Sequence, residues 1–588
     1  MSLRLITVLL CMVALPVHAA TTHAELTTVS ERSGFLKTGR YDEVLALCDA
    51  FAAAYPDAVR CTTFGTTPEG RPMKALVVST SGALSAGQAR QRNLPVVLIQ
   101  GGIHAGEIDG KDAGFLALRE ILQGKAAKGT LDKLVWVFVP VFNVDGHERF
   151  GAWNRPNQRG PVEMGWRTTA QNYNLNRDYV KADTPEMQAM LALVNEWDPL
   201  LAVDLHVTNG AKFEHDVSIQ VEPVNAGDEA LRKAGKQWRD AVLGDLSRQG
   251  SLPLSFYPSF VIQDDPSSGF EDGVAPPRFS SGYFWLRNRL GMLVETHSWK
   301  EYPVRVRITR NTVVSVLEQL AAHGSDWLQV AQQADAHASK LPAQPVPLAY
   351  AASKQSRPID FRGYEYTRTP SEISGALMTR YDETKPQVWR VPLRDDLHPS
   401  VSVQPPTAGY LVPVAHAARV GAKLKQHGIA FIVTGPQAKA AIETFRADTA
   451  KAGTPSFEGH QTMTVTGSWK PELRDIAAGS LFVPIAQEKS RLLMSMLEPL
   501  APDSLLAWGG FNNAFERKEY MEDYVAEVVA REMLAADPLL KARFEQRLKD
   551  DPAFAASPQA RLDFFARLHS SWDDQYYLYP VMRINTIP

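Results

Sequence analysis

The sequence predicts an α/β protein, with a doubly wound, mostly parallel sheet over residues 20–338 and a mixed α and β domain over 359–588. Three observations lead there. From residue 40 to about 325, apolar runs of strand length alternate with longer stretches of helical period, the pattern of βα units. Those runs are apolar nearly throughout, as in strands covered on both faces. At 588 residues the chain also exceeds what one core usually serves, and the segment 339–358, rich in proline and small residues and without period, reads as a linker.

The opening "MSLRLITVLLCMVALPVHAA" has an early cation at Arg4, a short apolar stretch, and Val17-His18-Ala19, a small-residue cleavage pattern. Residues 1–19 are therefore expected to be a signal peptide, and the mature chain to be exported to a periplasm or medium. The alternative, a membrane anchor, is disfavoured by the shortness of the stretch, and no later segment is apolar for long enough to span a bilayer. In "YDEVLALCDAFAAAYP", Val44, Leu47, Cys48 and Phe51 recur at helical spacing. Cys48 and Cys61 form either a disulfide, which an oxidising compartment permits, or two buried thiols.

Pro95 to Ile99, Leu134 to Phe142, Leu200 to Leu205 and Leu290 to Val294 read as buried strands. "DTPEMQAMLALVNEW" reads as a helix, with Asp183 as N-cap and Met187, Met190, Leu191, Val194 and Trp197 on one face. Beyond the linker, "QVWRVPL" and "GYLVPV" are strand-like, "AARVGAKLKQHGIAFIV" gives a helix and a strand, and helical patterns run from about Glu516 to Leu568. The net charge of -3 offers no bulk attraction to nucleic acid. Nothing in the sequence addresses oligomeric state.

Four polar residues end or follow the buried strands. His104 and Glu107 lie in the glycine-rich "IQGGIHAGEIDG", His206 ends "LLAVDLH", and Glu295 ends "LGMLVE". In open α/β sheets ligands bind beyond the carboxyl ends of the strands. A catalytic zinc takes three nitrogen or carboxylate ligands and keeps one position open, and His104, Glu107 and His206 supply such a set. Hydrolysis then needs a base for the attacking water, which suits Glu295, and a donor for the oxyanion, which suits Arg167 in "GWRTT".

In "GTTPEGRPMKALVVS", "GGIHAGE", "PVFNVDG", "GWRTTAQNYNLNRDY", "DLH" and "LVETHS", taken in order, the chain resembles the zinc carboxypeptidases of the carboxypeptidase A type. The resemblance covers most of residues 35–320 and implies that family's fold. It implies one zinc per chain on His104, Glu107 and His206, Glu295 as catalytic base, and Arg167 polarising the scissile carbonyl. It further implies that Asn176 and Arg177 hold the free terminal carboxylate of a peptide. A guanidinium meets a carboxylate with two parallel hydrogen bonds, and the structural alternative for Arg177 is an ion pair with Asp178.

Two departures stand out. The family carries an aspartate where this chain has Asn174, accepting from the first zinc histidine; an amide oxygen still accepts but brings no charge. The family's mobile tyrosine has no counterpart at its usual spacing, and Tyr283 in "SSGYFWLRN" is the nearest candidate, with ordinary packing as the alternative. His147, beside Glu148, lacks the second histidine of a thermolysin-type helix. His215 and His297 are read as packing or surface residues. The expected function is an exported zinc carboxypeptidase acting on peptides. The alternatives are a zinc amidase for acylated amino acids or cell-wall peptides, and a non-catalytic peptide-binding protein on the same scaffold.

Overall fold

The computed structural model describes residues 26–341 and 344–587, so the expected signal peptide lies outside the described residues. The strands of the first half are β1 (Val59–Thr66), β2 (Pro72–Val78), β3 (Val96–Gly101), β4 (Val135–Val139), β5 (Leu201–Val207), β6 (Val217–Glu222), β7 (Pro253–Leu254), the short β8 (Phe270–Glu271) and β9 (Leu290–Thr296). All but β8 form one eight-stranded sheet in the order β1-β2-β4-β3-β5-β9-β6-β7. Its centre, β4-β3-β5-β9, is parallel. β1, β2 and β6 add antiparallel pairings on either side.

Every residue of β3, β4 and β5 is buried, which matches their apolar runs. The second strand is shorter than its run suggests, since Pro140 follows Val139 and has no N–H for the ladder. The helix Pro185–Trp197 buries the expected face, but its N-cap is Thr184, whose hydroxyl accepts from Met187 N. Asp183 points elsewhere, to Lys423 and His460. Helix Tyr41–Ala54 packs on β1 and β2, and Cys48 is joined to Cys61 on β1 by a disulfide. The helices Asp109–Leu122 and Glu229–Arg248 both pack against Tyr302–Ala338.

The stretch read as a linker holds a strand. β10 (Val346–Ala352) pairs with the later strand Leu397–Val403, and Val346 and Leu348 are buried at period two. Its prolines hide that period, and an edge strand in a two-stranded sheet tolerates them. β11 (Arg357–Pro370) and β12 (Leu377–Arg394) form a long hairpin that reaches back to β8, and β13 (Leu397–Val403) is the partner of β10.

The remaining strands, β14 (Gly409–Val412), β15 (Ile432–Val433), β16 (Gln437–Ala452), β17 (Met463–Ile476), β18 (Leu481–Pro484) and β19 (Leu578–Ile584), make a six-stranded sheet. One buried apolar cluster runs from Leu26 through the central sheet to Val581, so the two halves share a core. The late helical region is cut into Asp523–Ala536, Pro538–Asp550, Pro552–Ala556 and Pro558–Ala566, the last three opening on proline behind an Asp or Ser cap. Among the described residues no helix is long and apolar enough to cross a membrane.

Candidate active site

The chain leaves β3 through a bend that needs its glycines. Gly102 has φ +64°, and a β-carbon on Gly106 would stand 2.6 Å from Arg155 Cγ. The bend delivers His104 and Glu107 to the carboxyl end of β3. His206 on β5 and Glu295 on β9 are direct partners across a parallel pairing, which brings both to the same edge.

The three expected ligands converge. His104 Nδ1 lies 3.0 Å from Glu107 Oε1, and His206 Nδ1 lies 2.9 Å from Glu107 Oε2. These donor atoms all lie within 4.8 Å of one another, and all three residues are buried. Each histidine is oriented through its other nitrogen. His104 Nε2 is 3.1 Å from Asn174 Oδ1, an oxygen also fixed by accepting from Asn176 N. His206 Nε2 is 3.0 Å from Asp204 Oδ2, which accepts from Ser280 Oγ at 2.7 Å. Asn174 Oδ1 requires the proton on His104 Nε2, and the carboxylate beside His206 Nε2 favours a proton there, so both rings present Nδ1 to the centre. Two imidazole nitrogens and a carboxylate suit zinc, and Glu295 Oε2 beside them is buried without a hydrogen-bond partner. The donor set fits the ion.

The electrostatics are those of a crowded, dry site. Burial holds the His104 imidazole down to about 4 against the pull of Glu107. Burial likewise opposes the charged form of His206, but Asp204, Glu107 and Glu295 hold it well above the ordinary value. Burial also opposes ionisation of Glu107, yet Arg155 and His104 keep its carboxyl low. Burial pushes Glu295 up to about 8, with His206 pulling the other way.

Arg167 Nη1 reaches Glu107 Oε1 at 3.3 Å and is partly open to the cleft. Arg177 follows Asn176 in a short 3-10 turn, donates Nη1 to Asn176 O at 2.6 Å, and stacks 4.3 Å from the Phe279 ring centroid. Among the described residues it has no carboxylate at ion-pair distance. Asp178 instead takes Lys181 Nζ at 2.9 Å and Thr184 Oγ1 at 2.7 Å. Burial, Arg167 and Arg278 lower Arg177 to about 10. A cleft of about 420 Å³ connects His104, Glu107, Arg167, Asn176, Arg177 and Glu295, and continues to Gln220, Glu222 and Asp272.

Tyr283 does not line this cleft, which corrects its candidacy as the mobile, substrate-binding tyrosine in favour of the packing alternative. It is fully buried in the helix Ser280–Leu286, with its hydroxyl 2.9 Å from His427 Nδ1 and accepting from Arg287. The tyrosine that lines the cleft is Tyr257, whose phenol burial and Glu295 push upward and whose oxygen accepts from Asn209 N. A second residue without a sequence signal is Arg155, buried, with Nη1 2.8 Å from Glu107 Oε1. His297 stacks on Phe213 at 3.9 Å, and His215 Nδ1 sits 3.0 Å from Leu252 O, so both are packing residues. His147 is also buried, beside Glu148.

Residues 44–213 match the family model described as zinc carboxypeptidase. Over these residues the chain has a peptidase domain of the carboxypeptidase A type. Curated relatives of this zinc carboxypeptidase domain include the carboxypeptidase B of Helicoverpa zea, 28% identical over 134 residues, which are 22% of this chain and 30% of that protein. The inactive metallocarboxypeptidase ecm14 of Schizosaccharomyces pombe is 36% identical over 101 residues, 16% of this chain and 20% of that protein. The chain thus spans less than a third of the length of these relatives. Among solved structures, carboxypeptidase A of Helicoverpa armigera aligns at 18% identity and TM-score 0.33, covering 50% of this chain and 73% of its own.

Proposed function

We propose that the protein is an exported zinc carboxypeptidase that removes residues from the free C-terminus of peptides. The observation that carries this reading is Arg177, a guanidinium without a carboxylate partner among the described residues, in the same cleft as the His104, Glu107, His206 cluster and Glu295. A zinc ion held by His104, Glu107 and His206 would act as Lewis acid on the water and on the scissile carbonyl. Arg177, with Asn176, binds the terminal carboxylate and so sets the bond to be cut one residue from the end. Glu295 takes a proton from the attacking water at its buried carboxylate and returns it to the departing amine. Arg167 donates to the carbonyl oxygen as negative charge develops there.

Export rests on the signal-like residues 1–19, and the Cys48–Cys61 disulfide is the kind of bond an oxidising compartment preserves. A second reading has an observation of its own: two relatives carry the name inactive metallocarboxypeptidase, which suits a peptide-binding protein. The experiment that separates the readings compares a peptide with its C-terminal carboxamide, using zinc-loaded protein. Release of the last residue from the free acid alone supports the carboxypeptidase. Equal cleavage of both indicates an amidase or endopeptidase, and binding of the free acid without cleavage indicates the non-catalytic reading.

A further inference from the structure

The segment 173–183 carries Asn174, Asn176 and Arg177, and it is fastened from outside by side chains of the C-terminal half. Glu458 Oε2 accepts from Asn174 N at 3.0 Å. His460 Nε2 lies 2.7 Å from Asp183 Oδ2, Lys423 Nζ donates to Asp183 Oδ1 at 2.9 Å, and His427 Nε2 donates to Val180 O at 3.0 Å. Glu458 and Gly459 both have positive φ, +48° and +77°. A glutamate rarely adopts that backbone, and here it forms a tight turn pressed on Tyr173: a β-carbon on Gly459 would stand 3.1 Å from Tyr173 Cε1.

A second fastening lies across the Phe279 ring. Arg278 stands 6.0 Å from its centroid and Arg177 4.3 Å. Asp503, whose side chain is fully buried, accepts from Arg278 N at 3.0 Å and lies 3.4 Å from its Nε. Three guanidiniums, Arg167, Arg177 and Arg278, therefore share one neighbourhood, and their repulsion works against keeping Arg177 charged and in place. The carboxylates whose field opposes that repulsion at Arg177 are Glu458 and Asp503, both from the C-terminal half. Neither one pairs with Arg177 directly. One braces the segment through Asn174 and the other ties down Arg278, so Arg177 keeps its remaining donors for a ligand.

The same arrangement bears on Asn174. Where the resemblance leads to an aspartate, this chain has a neutral amide, and Glu458 brings a carboxylate onto that residue's backbone N–H. The chain from Glu458 through Asn174 ends on His104 Nε2.

We propose that Glu458 and Asp503 of the C-terminal half are positioning residues for the terminal-carboxylate site, holding Arg177 open to the cleft, so that the two halves build one binding site. This rests on the carboxypeptidase reading above. The test uses the full-length, zinc-loaded protein and a free-acid peptide, with kcat and KM measured for Glu458→Gln, Asp503→Asn, Arg177→Ala and the two double variants containing Arg177→Ala. Each single change at Glu458 or Asp503 should raise KM about tenfold with kcat within about twofold, a coupling typical of residues sharing one network. Zinc content should be unchanged, and Asp503→Glu should regain part of the loss. In the Arg177→Ala background either change should add less than about twofold.

An unchanged KM in both single variants overturns the proposal, as do effects that multiply in full in the double variants. Asp503 is buried, so if Asp503→Asn does not fold, Glu458→Gln in its surface turn decides alone by the same criteria. A wild type that cleaves acid and carboxamide alike defeats the carboxypeptidase reading. A wild type that discriminates, with unaffected variants, defeats only the positioning role.

Discussion

Replacing Arg177 by alanine removes the cation that should make this an exopeptidase, and the expected size of the effect follows from its surroundings. Arg177 spends Nη1 on Asn176 O and has no carboxylate partner among the described residues, so the rest of the guanidinium fork is free for a substrate. Hydrogen bonds to a charged group contribute about 1.5–3 kcal/mol each. Two bonds at the lower end give about 3 kcal/mol, or roughly a hundredfold in kcat/KM. Arg177→Ala should therefore lower kcat/KM for a free-acid peptide about a hundredfold while hardly changing the slow cleavage of the carboxamide. Arg177→Lys, which keeps a point charge but not the fork, should fall between. The assay is initial rates on the matched peptide pair at one zinc concentration. A loss below about fivefold, or an equal loss on both peptides, refutes the assignment.

Other expectations can be checked alongside. Glu295→Gln should keep zinc and fold but lose about a hundredfold or more in kcat, because an amide cannot accept the water's proton; activity within about tenfold of wild type moves the base elsewhere. His206→Ala should abolish stoichiometric zinc binding, and full occupancy measured by elemental analysis contradicts its role as ligand. Glu186 gives a pH test: burial, with Asp145 and Asp178 nearby, raises its carboxyl from 4.5 to about 7 against the pull of its own backbone N–H, and among the described residues no other residue hydrogen-bonds its oxygens. The folded state then holds more protons than the unfolded between those values, so stability falls as pH rises through that window. Glu186→Gln should stabilise by about 2–3 kcal/mol at pH ~8 and hardly at all at pH ~4 in denaturant titrations, and equal shifts at both pH values contradict the assignment.

The convergence of the candidate site residues was legible because each closes or follows an apolar run: His206 and Glu295 end strands that pair in register, and His104 and Glu107 follow the buried β3. The tyrosine was not legible. Tyr283 lies in a helix whose every residue is buried, whereas Tyr257 reaches the cleft from a loop whose path no periodicity encodes. Arg155 stands in no motif, and only the fold lays it over Gly106 against Glu107. Proline concealed the strand Val346–Ala352. Asp183 had the residue type of a cap, but Thr184 fills that role while Asp183 bonds across the halves. Contacts such as Glu458 with Asn174 join residues with no shared local pattern, so they emerge only in three dimensions.

The central claim is that this site trims peptides from their free C-terminus. The most direct measurement is a time course of a mixed peptide library with zinc-loaded protein, read by mass spectrometry. The account predicts successive products each shorter by one C-terminal residue, with N-termini intact and carboxamide-capped members untouched. Internal fragments appearing first, or capped and uncapped peptides disappearing at the same rate, would contradict it.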